Sequence, residues 1–213
     1  MGTSYNPPIV TDGLVFCVDA ANKRSYPGTG TALTDIAGVS NGTLTNGPTF
    51  DSANGGSIVL DGSNDEIICG NDASIQITEG SISAWFAANN GNSSYRGIIA
   101  KQNAWGLFVH SDDLVTYSWG NGSRRETGID VGDGSWNNAV MTFTETTGTP
   151  TNNAKIYLNG DLVLTTTVTH LNHQVTLQLG EANAGQHLNG KTTIATCDRC
   201  CTPSPTYEAC RHD

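Results

Sequence analysis

The sequence has little charge, and basic residues are especially scarce. Only 14% of the 213 residues are charged, and 10 Lys and Arg stand against 20 Asp and Glu, for a formal net charge of -10. The basic residues occur singly or in pairs, such as Lys23-Arg24 and Arg124-Arg125. A nucleic-acid site needs a stripe of basic side chains to neutralise consecutive phosphates, so we expect no nucleic-acid partner.

Long apolar runs are missing too. No segment approaches the roughly 20 apolar residues that a membrane-spanning helix needs, so we expect no membrane partner. The first eight residues have neither a basic start nor an apolar stretch. A secretory leader carries both features, and none is expected here.

The sequence lacks the apolar periodicity of long helices and is rich in residues typical of turns and strands. It has 25 Gly, 27 Thr and 20 Asn, about a third of the chain. Gly and Asn supply turns, whereas Thr favours strands over helix interiors. The composition therefore favours an all-β protein over a helical bundle, a coiled coil or a Rossmann-type domain.

Short alternating apolar segments predict about a dozen antiparallel strands. The strongest hairpin signal is Asn159-Gly160, because a type I′ turn needs positive φ at both central positions. Helical turns are predicted only at 72–75 and 203–210. The predicted strands are 14–18, 57–61, 66–69, 81–87, 97–101, 105–110, 114–119, 138–144, 154–158, 162–167, 175–179 and 191–197.

The order of these segments predicts one domain, residues 12–213, in which two sheets pack face to face. Residues 1–11 are predicted to form an N-terminal arm. Pro7 and Pro8 lack amide donors, so this arm suits a sheet edge or another subunit better than a central strand. We therefore expect the chain to self-associate or to dock through the arm.

Six cysteines leave three chemistries open. They are Cys17, Cys69, Cys197, Cys200, Cys201 and Cys210. The last four could form a zinc cluster, but adjacent Cys200 and Cys201 cannot easily both face one metal, and no second Cys-x-x-Cys pair follows. A disulfide and free thiols are the alternatives, and free thiols are favoured.

Several segments, taken in order, resemble the laminin-G-like domains with a concanavalin A-like jelly roll. The resemblance is closest to the domains of this type in tailed-phage structural proteins, although cysteines replace three usual residues near the end. It is carried by residues 12–22, 25–30, 41–48, 57–65 (SIVLDGSND), 81–86 (SISAWF), 97–101 (GIIAK), 136–143 (WNNAVMTF), 155–163 (KIYLNGDLV), 188–191 (LNGK) and 197–204.

The resemblance implies an all-β, two-sheet antiparallel jelly-roll sandwich and a non-enzymatic virion role. The expected part is a head decoration protein or an accessory subunit of a tail or neck fibre, assembled in the host cytoplasm beside other virion proteins and as a homo-oligomer. The alternative is a carbohydrate-binding adhesion module that recognises host surface glycans.

Catalysis is not expected. Related glucanases carry acids as Glu-x-Asp-x-(x)-Glu on one strand, so that alternate side chains meet the sugar from one face. None of the six glutamates here begins that pattern. No nucleophile elbow is present either.

Calcium is the one cofactor that the resemblance suggests, because eukaryotic relatives bind it through Asp and Asn on loops at the sheet rim. Calcium requires several oxygen ligands. The candidate ligands are Asp61, Asn64, Asp65, Asp112 and Asp113. Acids in turns also bond the local backbone, which is the simpler interpretation.

A glycan site would need exposed aromatic rings beside amide side chains. The candidates are Tyr95, Trp105, Tyr117 and Trp119, with Asn103 and Asn121 near them. Trp105 and Trp119 exposed in a groove would favour glycan binding, and burial between the sheets would favour a structural role. The predicted core comprises Trp85, Trp136, Val140, Phe143, Ile156 and Leu158.

Overall fold

The computed structural model describes residues 12–91, 94–144, 151–171, 174–181 and 186–198. In these ranges the chain forms sixteen strands and three single 3-10 turns. The strands make two antiparallel eight-stranded sheets. This arrangement confirms the predicted all-β, concanavalin A-like jelly-roll sandwich. In the same ranges, no helix has the length and apolar character needed to cross a membrane.

The strand order brings distant segments together. The first sheet has the order β14-β13-β12-β7-β16-β5-β4, with β1 also paired to β16, and the second has the order β11-β10-β9-β8-β15-β6-β3-β2. The strands are β1 (Leu14–Asp19), β2 (Ala32–Leu33), β3 (Gly42–Thr45), β4 (Thr49–Asp51), β5 (Ser57–Asp61), β6 (Glu66–Ile68), β7 (Gly80–Asn89), β8 (Tyr95–Lys101), β9 (Trp105–His110), β10 (Asp113–Ser118), β11 (Ser123–Asp130), β12 (Asp133–Phe143), β13 (Ala154–Leu158), β14 (Asp161–Thr166), β15 (Leu177–Leu179) and β16 (Asn189–Asp198).

Each of the twelve predicted strands has a counterpart, and four short or polar strands were missed: β2, β3, β4 and β11. β11 reads SRRETGID and lies at the edge of the second sheet, so it needs no alternating apolar face. The Asn159-Gly160 turn joins β13 to β14 as predicted, with φ of 52° and 92°. The predicted helical turn at 72–75 is a 3-10 turn, Ala73–Ile75.

The core lies between the sheets and includes three of the predicted residues. Phe143 and Ile156 are almost fully buried, and Leu158 is buried as well. The prediction is wrong for Val140, Trp85 and Trp136. These three side chains lie on the outer face of the first sheet, because their strand neighbours point inward.

Cys17, Cys69 and Cys197 are free and fully buried. Burial raises the pKa of the Cys17 thiol to about 12 and also raises the pKa values of Cys69 and Cys197. These three thiols are therefore protonated and unreactive in the folded protein. Cys200, Cys201, Cys210, the predicted turn at 203–210 and the arm at 1–11 lie outside the described residues.

Candidate functional site

Two tryptophans lie side by side on the outer face of the first sheet. Strands β7 and β12 pair so that Trp85 faces Asn138 and Trp136 faces Ala87. The two tryptophans are thus diagonal neighbours, at a Cα separation of roughly 7–8 Å. The side chain of Trp85 is 37% exposed, and Trp136 is half-buried. This surface therefore presents two indole groups to solvent.

A cleft of about 340 Å³, the larger cleft, lies against both tryptophans. An irregularity in β16 forms its floor. In the pairing of β16 with β7, Thr192 faces Phe86 and Ala195 faces Ala84. Two residues of β16, Thr193 and Ile194, therefore lie opposite the single residue Trp85 of β7. The further lining residues are Asp19, Ala21, Asn54, Thr193 and Ile194.

The polar groups of the larger cleft are held by hydrogen bonds to the surrounding loops. The Ala21 amide donates to the Asp19 carboxylate at 2.8 Å, and the Thr193 hydroxyl donates to the Gly56 carbonyl at 2.7 Å. Burial raises the pKa of Asp19, although the bonded amides partly oppose this. These bonds fix the walls of the cleft before any ligand arrives.

A second depression of about 130 Å³, the smaller cleft, lies on the other side of Trp136. Across the sheet, small Ala87 lies between Trp136 and Lys191, which leaves room between two large side chains. Gly190 lets β16 approach closely here, since a Cβ at this position would lie 2.0 Å from the Ala87 carbonyl oxygen. The smaller cleft also includes Val59, Asn89 and Asn189.

The charged and amide groups of the smaller cleft are paired. Lys191 Nζ donates to Asp51 Oδ2 at 2.6 Å, and Asn89 donates to Asn189 at 3.0 Å. The hydrogen bond from Lys191 lowers the pKa of Asp51. Because Lys191 is neutralised by Asp51, this cleft presents amide groups and an aliphatic stem more than a free cation.

The predicted aromatic patch is partly present, on the outer face of the second sheet. Tyr95 and Tyr117 meet edge to face with ring centroids 5.7 Å apart, and Tyr117 meets Trp119 at 5.2 Å. Trp119 also contacts Phe108 at 5.9 Å. Phe108 is buried, and Tyr95, Tyr117 and Trp119 are half-buried and pack against it and one another. Their mutual packing accounts for the cluster, and sugar binding there stays a prediction.

The other three predicted glycan residues are Trp105, Asn103 and Asn121, and Asn121 is in the same 3-10 turn as Trp119. Trp105 is fully buried between the sheets, and its indole donates to the Ile77 carbonyl at 3.3 Å, so it cannot stack on a ligand. The Asn103 carbonyl accepts from the Leu171 amide. The Asn121 side chain bonds Ser123 at the start of β11.

The predicted calcium ligands serve the turns in which they occur. Asp61 Oδ1 accepts from the amides of Ser63 and Asn64, and Asp65 accepts from the Asp61 amide. The Asn64 carbonyl accepts from Asn46, and Asp65 is buried. These bonds shape the turn between β5 and β6.

The other two predicted ligands, Asp112 and Asp113, follow β9 and bond residues of β8 and β11. Asp112 forms a 2.6 Å ion pair with Arg96, and Asp113 accepts from Thr127 and from the amides of Gly128 and Ile129. Over the described residues, no group of three His, Cys, Asp or Glu side chains is arranged to hold a metal ion. Calcium binding stays a prediction.

The structure also contains an acid cluster that was not predicted from the sequence. Glu66 and Glu181 share a hydrogen bond, and the Gln178 amide donates to both, at 2.8 Å and 2.7 Å. His187 Nε2 lies 3.6 Å from Glu181. Burial and Glu66 raise the pKa of Glu181 to about 7. No sequence signal links these residues, because strand pairing brings them together.

The outward position of Trp85 did have a sequence signal. Ile82, Ala84 and Phe86 alternate with Ser83 and Trp85 along β7. Once the Ile82 face is taken as the core, Trp85 must point the other way. The alternation along β7 thus indicates an outward Trp85, against its place in the predicted core.

Comparison with known proteins supports the fold. Residues 61–193 match the family described as Laminin_G_3, concanavalin A-like lectin/glucanases superfamily. No curated protein matches the chain.

Three solved structures illustrate the likeness. The sialidase of Trypanosoma rangeli, in complex with sialic acid, aligns with a TM-score of 0.65 and 11% identity over 90% of this chain and 31% of that one. Domain 4 of AbnA, an extracellular arabinanase of Geobacillus stearothermophilus in complex with arabinotriose, aligns with a TM-score of 0.58 and 16% identity. The alignment covers 87% of this chain and 92% of that one. The binding domain of botulinum neurotoxin DC, in complex with SialylT, aligns with a TM-score of 0.60 and 19% identity. The alignment covers 90% of this chain and 47% of that one.

The chain thus spans about a third of the sialidase and about half of the toxin binding domain. At these identities the likeness shows the fold alone.

Proposed function

Because the chain belongs to the concanavalin A-like lectin/glucanases superfamily, we propose that it is a carbohydrate-binding module without catalytic activity, whose site is the surface formed by Trp85 and Trp136. The observation that carries the proposal is the pair of indoles beside the larger cleft of about 340 Å³. Small-molecule sites are concave, aromatic-lined and furnished with a few polar groups. An apolar sugar face stacks on an indole, and its hydroxyls bond neighbouring carboxylate, amide and hydroxyl groups.

The relatives support this class of ligand. Structures with this fold are described with sialic acid, with arabinotriose and with SialylT. Fold does not determine function, so the residues of the site carry more weight than the likeness in fold.

We propose no hydrolytic activity, because the described residues that line the two clefts include no pair of acids. Glycosidases use two carboxyl groups that flank one bond, roughly 5–10 Å apart. Among the described residues that line the larger cleft, Asp19 alone carries a carboxylate. The Glu66–Glu181 pair is elsewhere, and Glu181 is only 6% exposed, so a sugar does not reach it. Release of reducing sugar from laminarin, agar or peptidoglycan, abolished by removal of one carboxylate, would overturn this part.

Sugar-binding measurements on single variants test the site. The probes are a panel of neutral and sialylated oligosaccharides, followed by calorimetry on those that bind. Trp85→Ala and Trp136→Ala should each weaken binding by about tenfold or more, or about 1.4 kcal/mol. Leu162→Ala removes an exposed apolar side chain on β14 and should leave the affinity unchanged. If Trp119→Ala weakens binding and the first two variants do not, the site is the patch on the second sheet.

A place in a tailed-phage virion is the second part of the proposal. Its support is the resemblance of the ordered sequence segments to phage structural domains. In that setting the module would be a decoration protein or a fibre accessory subunit, assembled in the host cytoplasm with other virion proteins. Electron microscopy of particles labelled at the terminus of this protein tests it. Particles that lack the label would count against the virion role but leave sugar binding unaffected.

A further inference from the structure

We infer that the ligand is a linear, uncharged oligosaccharide of at least two units that passes across Trp136. This inference rests on the proposed function and specifies its substrate class. It is drawn from the two clefts that share Trp136, from the charges of their lining residues and from the amide groups of the smaller cleft.

The first observation is that Trp136 lines both clefts. The larger cleft, of about 340 Å³, falls within the roughly 300–1,000 Å³ typical of small-molecule sites, and the smaller one, of about 130 Å³, falls below it. The smaller cleft is too small for a site of its own, but it borders the same indole as the larger cleft and offers room for a further unit of one ligand. A ligand with one unit in each cleft uses both.

The second observation is the order of side chains across the sheet. Trp136, Ala87 and Lys191 form one cross-strand row, and Val59 continues it on β5. Trp85 and the irregular part of β16 form the next row. The two clefts therefore lie in neighbouring rows of one sheet face. A chain that extends from one row to the next suits this surface better than a compact, branched ligand.

The third observation concerns charge. Asp19 contributes a carboxylate to the larger cleft, and Lys191, the single cation among the described residues that line either cleft, is bonded to Asp51. The whole chain carries a formal net charge of -10. An acidic sugar would thus enter a negative field with no free cation to receive it. This differs from the sialic acid in one relative's structure.

The fourth observation is the supply of groups for hydroxyls. Asn89 and Asn189 bond one another in the smaller cleft, which uses one donor and one acceptor of the pair. Each amide side chain offers two donors and two acceptor lone pairs, so further bonds to sugar hydroxyls remain available. Neutral sugar hydroxyls donate to and accept from these amide groups, so recognition needs no charge on the ligand or on the protein.

The deciding experiment is calorimetry with matched sugars on the full chain. The probes are arabinotriose, cellotriose and maltotriose, the monosaccharide of each, and 3′-sialyllactose. We expect a neutral trisaccharide to bind about tenfold or more tighter than its own monosaccharide. We expect Trp136→Ala to abolish this advantage of chain length, and Trp136→Phe to retain part of it. The affinity should also be the same at low and high salt, because screening weakens only charged contacts.

The outcomes distinguish a wrong ligand class from a wrong function. If 3′-sialyllactose binds tightest, or if a monosaccharide binds as well as its trisaccharide, this inference is wrong and the carbohydrate-binding function stands. If neither the neutral sugars nor 3′-sialyllactose binds, both fail. Thermal melting of each variant shows that a loss of affinity is not a loss of fold.

Discussion

Lys101 is the most unusual single residue of the core. It is fully buried, and Nζ donates to Asn71 Oδ1 at 2.7 Å. Burial lowers the pKa of Lys101 to about 8, and nearby Cys197 opposes this only in part. The folded protein therefore loses the proton of Lys101 at a lower pH than the unfolded chain. Stability should rise with pH between about 8 and 10.5 on this account.

Replacement of this lysine should stabilise the protein at neutral pH. Lys101→Met removes a charge from the core at similar length, and we expect a gain of about 1–3 kcal/mol at pH 7 that shrinks toward pH 10. Lys155→Met, at an exposed position of β13, is the matched control and should change stability by less than about 0.5 kcal/mol. Denaturant unfolding at both pH values measures the effect, and a loss of stability at pH 7 would contradict it.

Glu181 should make stability depend on pH in the opposite direction. Its pKa is raised from 4.5 to about 7, by burial first and then by Glu66. The other groups facing it are Gln178 and His187, and Asp65 interacts with that histidine. A raised pKa contributes stability that is present below about 4.5 and is lost as pH rises toward 7.

The expected result is that Glu181→Gln makes the stability profile flatter between about pH 5 and 7. Exposed Glu79→Gln should leave the profile unchanged. Thermal melting across this pH range measures both variants. Identical profiles for Glu181→Gln and the wild type would show that Glu181 titrates normally.

At the scale of elements, β7 separates the roles of the two sheet faces. Phe86 is fully buried between the sheets, whereas the adjacent Trp85 is 37% exposed on the other face. The neighbours of β7 on either side, β12 and β16, hold it at the centre of its sheet. Substitutions at these two residues therefore affect different surfaces, although the residues are neighbours in the chain.

Alanine substitution at both positions tests this assignment. Phe86→Ala should cost about 3–5 kcal/mol, as large-to-small changes at buried aromatics do. Trp85→Ala should cost less than half as much and affect sugar binding instead. Unfolding free energies from chemical denaturation give the comparison. Equal losses of stability would mean that Trp85 is part of the core after all.

At the scale of the molecule, the boundary between the arm and the sandwich stays a prediction. A chain that lacks residues 1–11 should melt within about 3 °C of the full chain, which corresponds to less than about 1 kcal/mol. Full-length protein should sediment as an oligomer and the shortened protein as a monomer, because the arm is expected to dock on a partner. Association that persists without residues 1–11 would show that another surface joins the copies.

Local features of the sequence are enough to specify the class of fold. These features are the glycines, asparagines and threonines, the alternating apolar segments and the Asn159-Gly160 turn. Each depends on neighbouring residues of one segment, so it can be recognised without a partner strand. Twelve strands followed from them. β11 could not, because an edge strand takes its place from hydrogen bonds to β10 more than from its own apolar pattern.

Packing of the two sheets determines which side of each strand is the surface, and strand pairing determines which distant residues meet. Alternation put Trp85 and Phe86 on opposite faces, but the position of the second sheet determined which of them is buried. The clefts at Trp136 needed the pairing of β12, β7 and β16, and the Glu66–Glu181 contact needed that of β6 and β15. Such pairings join residues far apart in the chain, so they are properties of the assembled sheets and not of any segment.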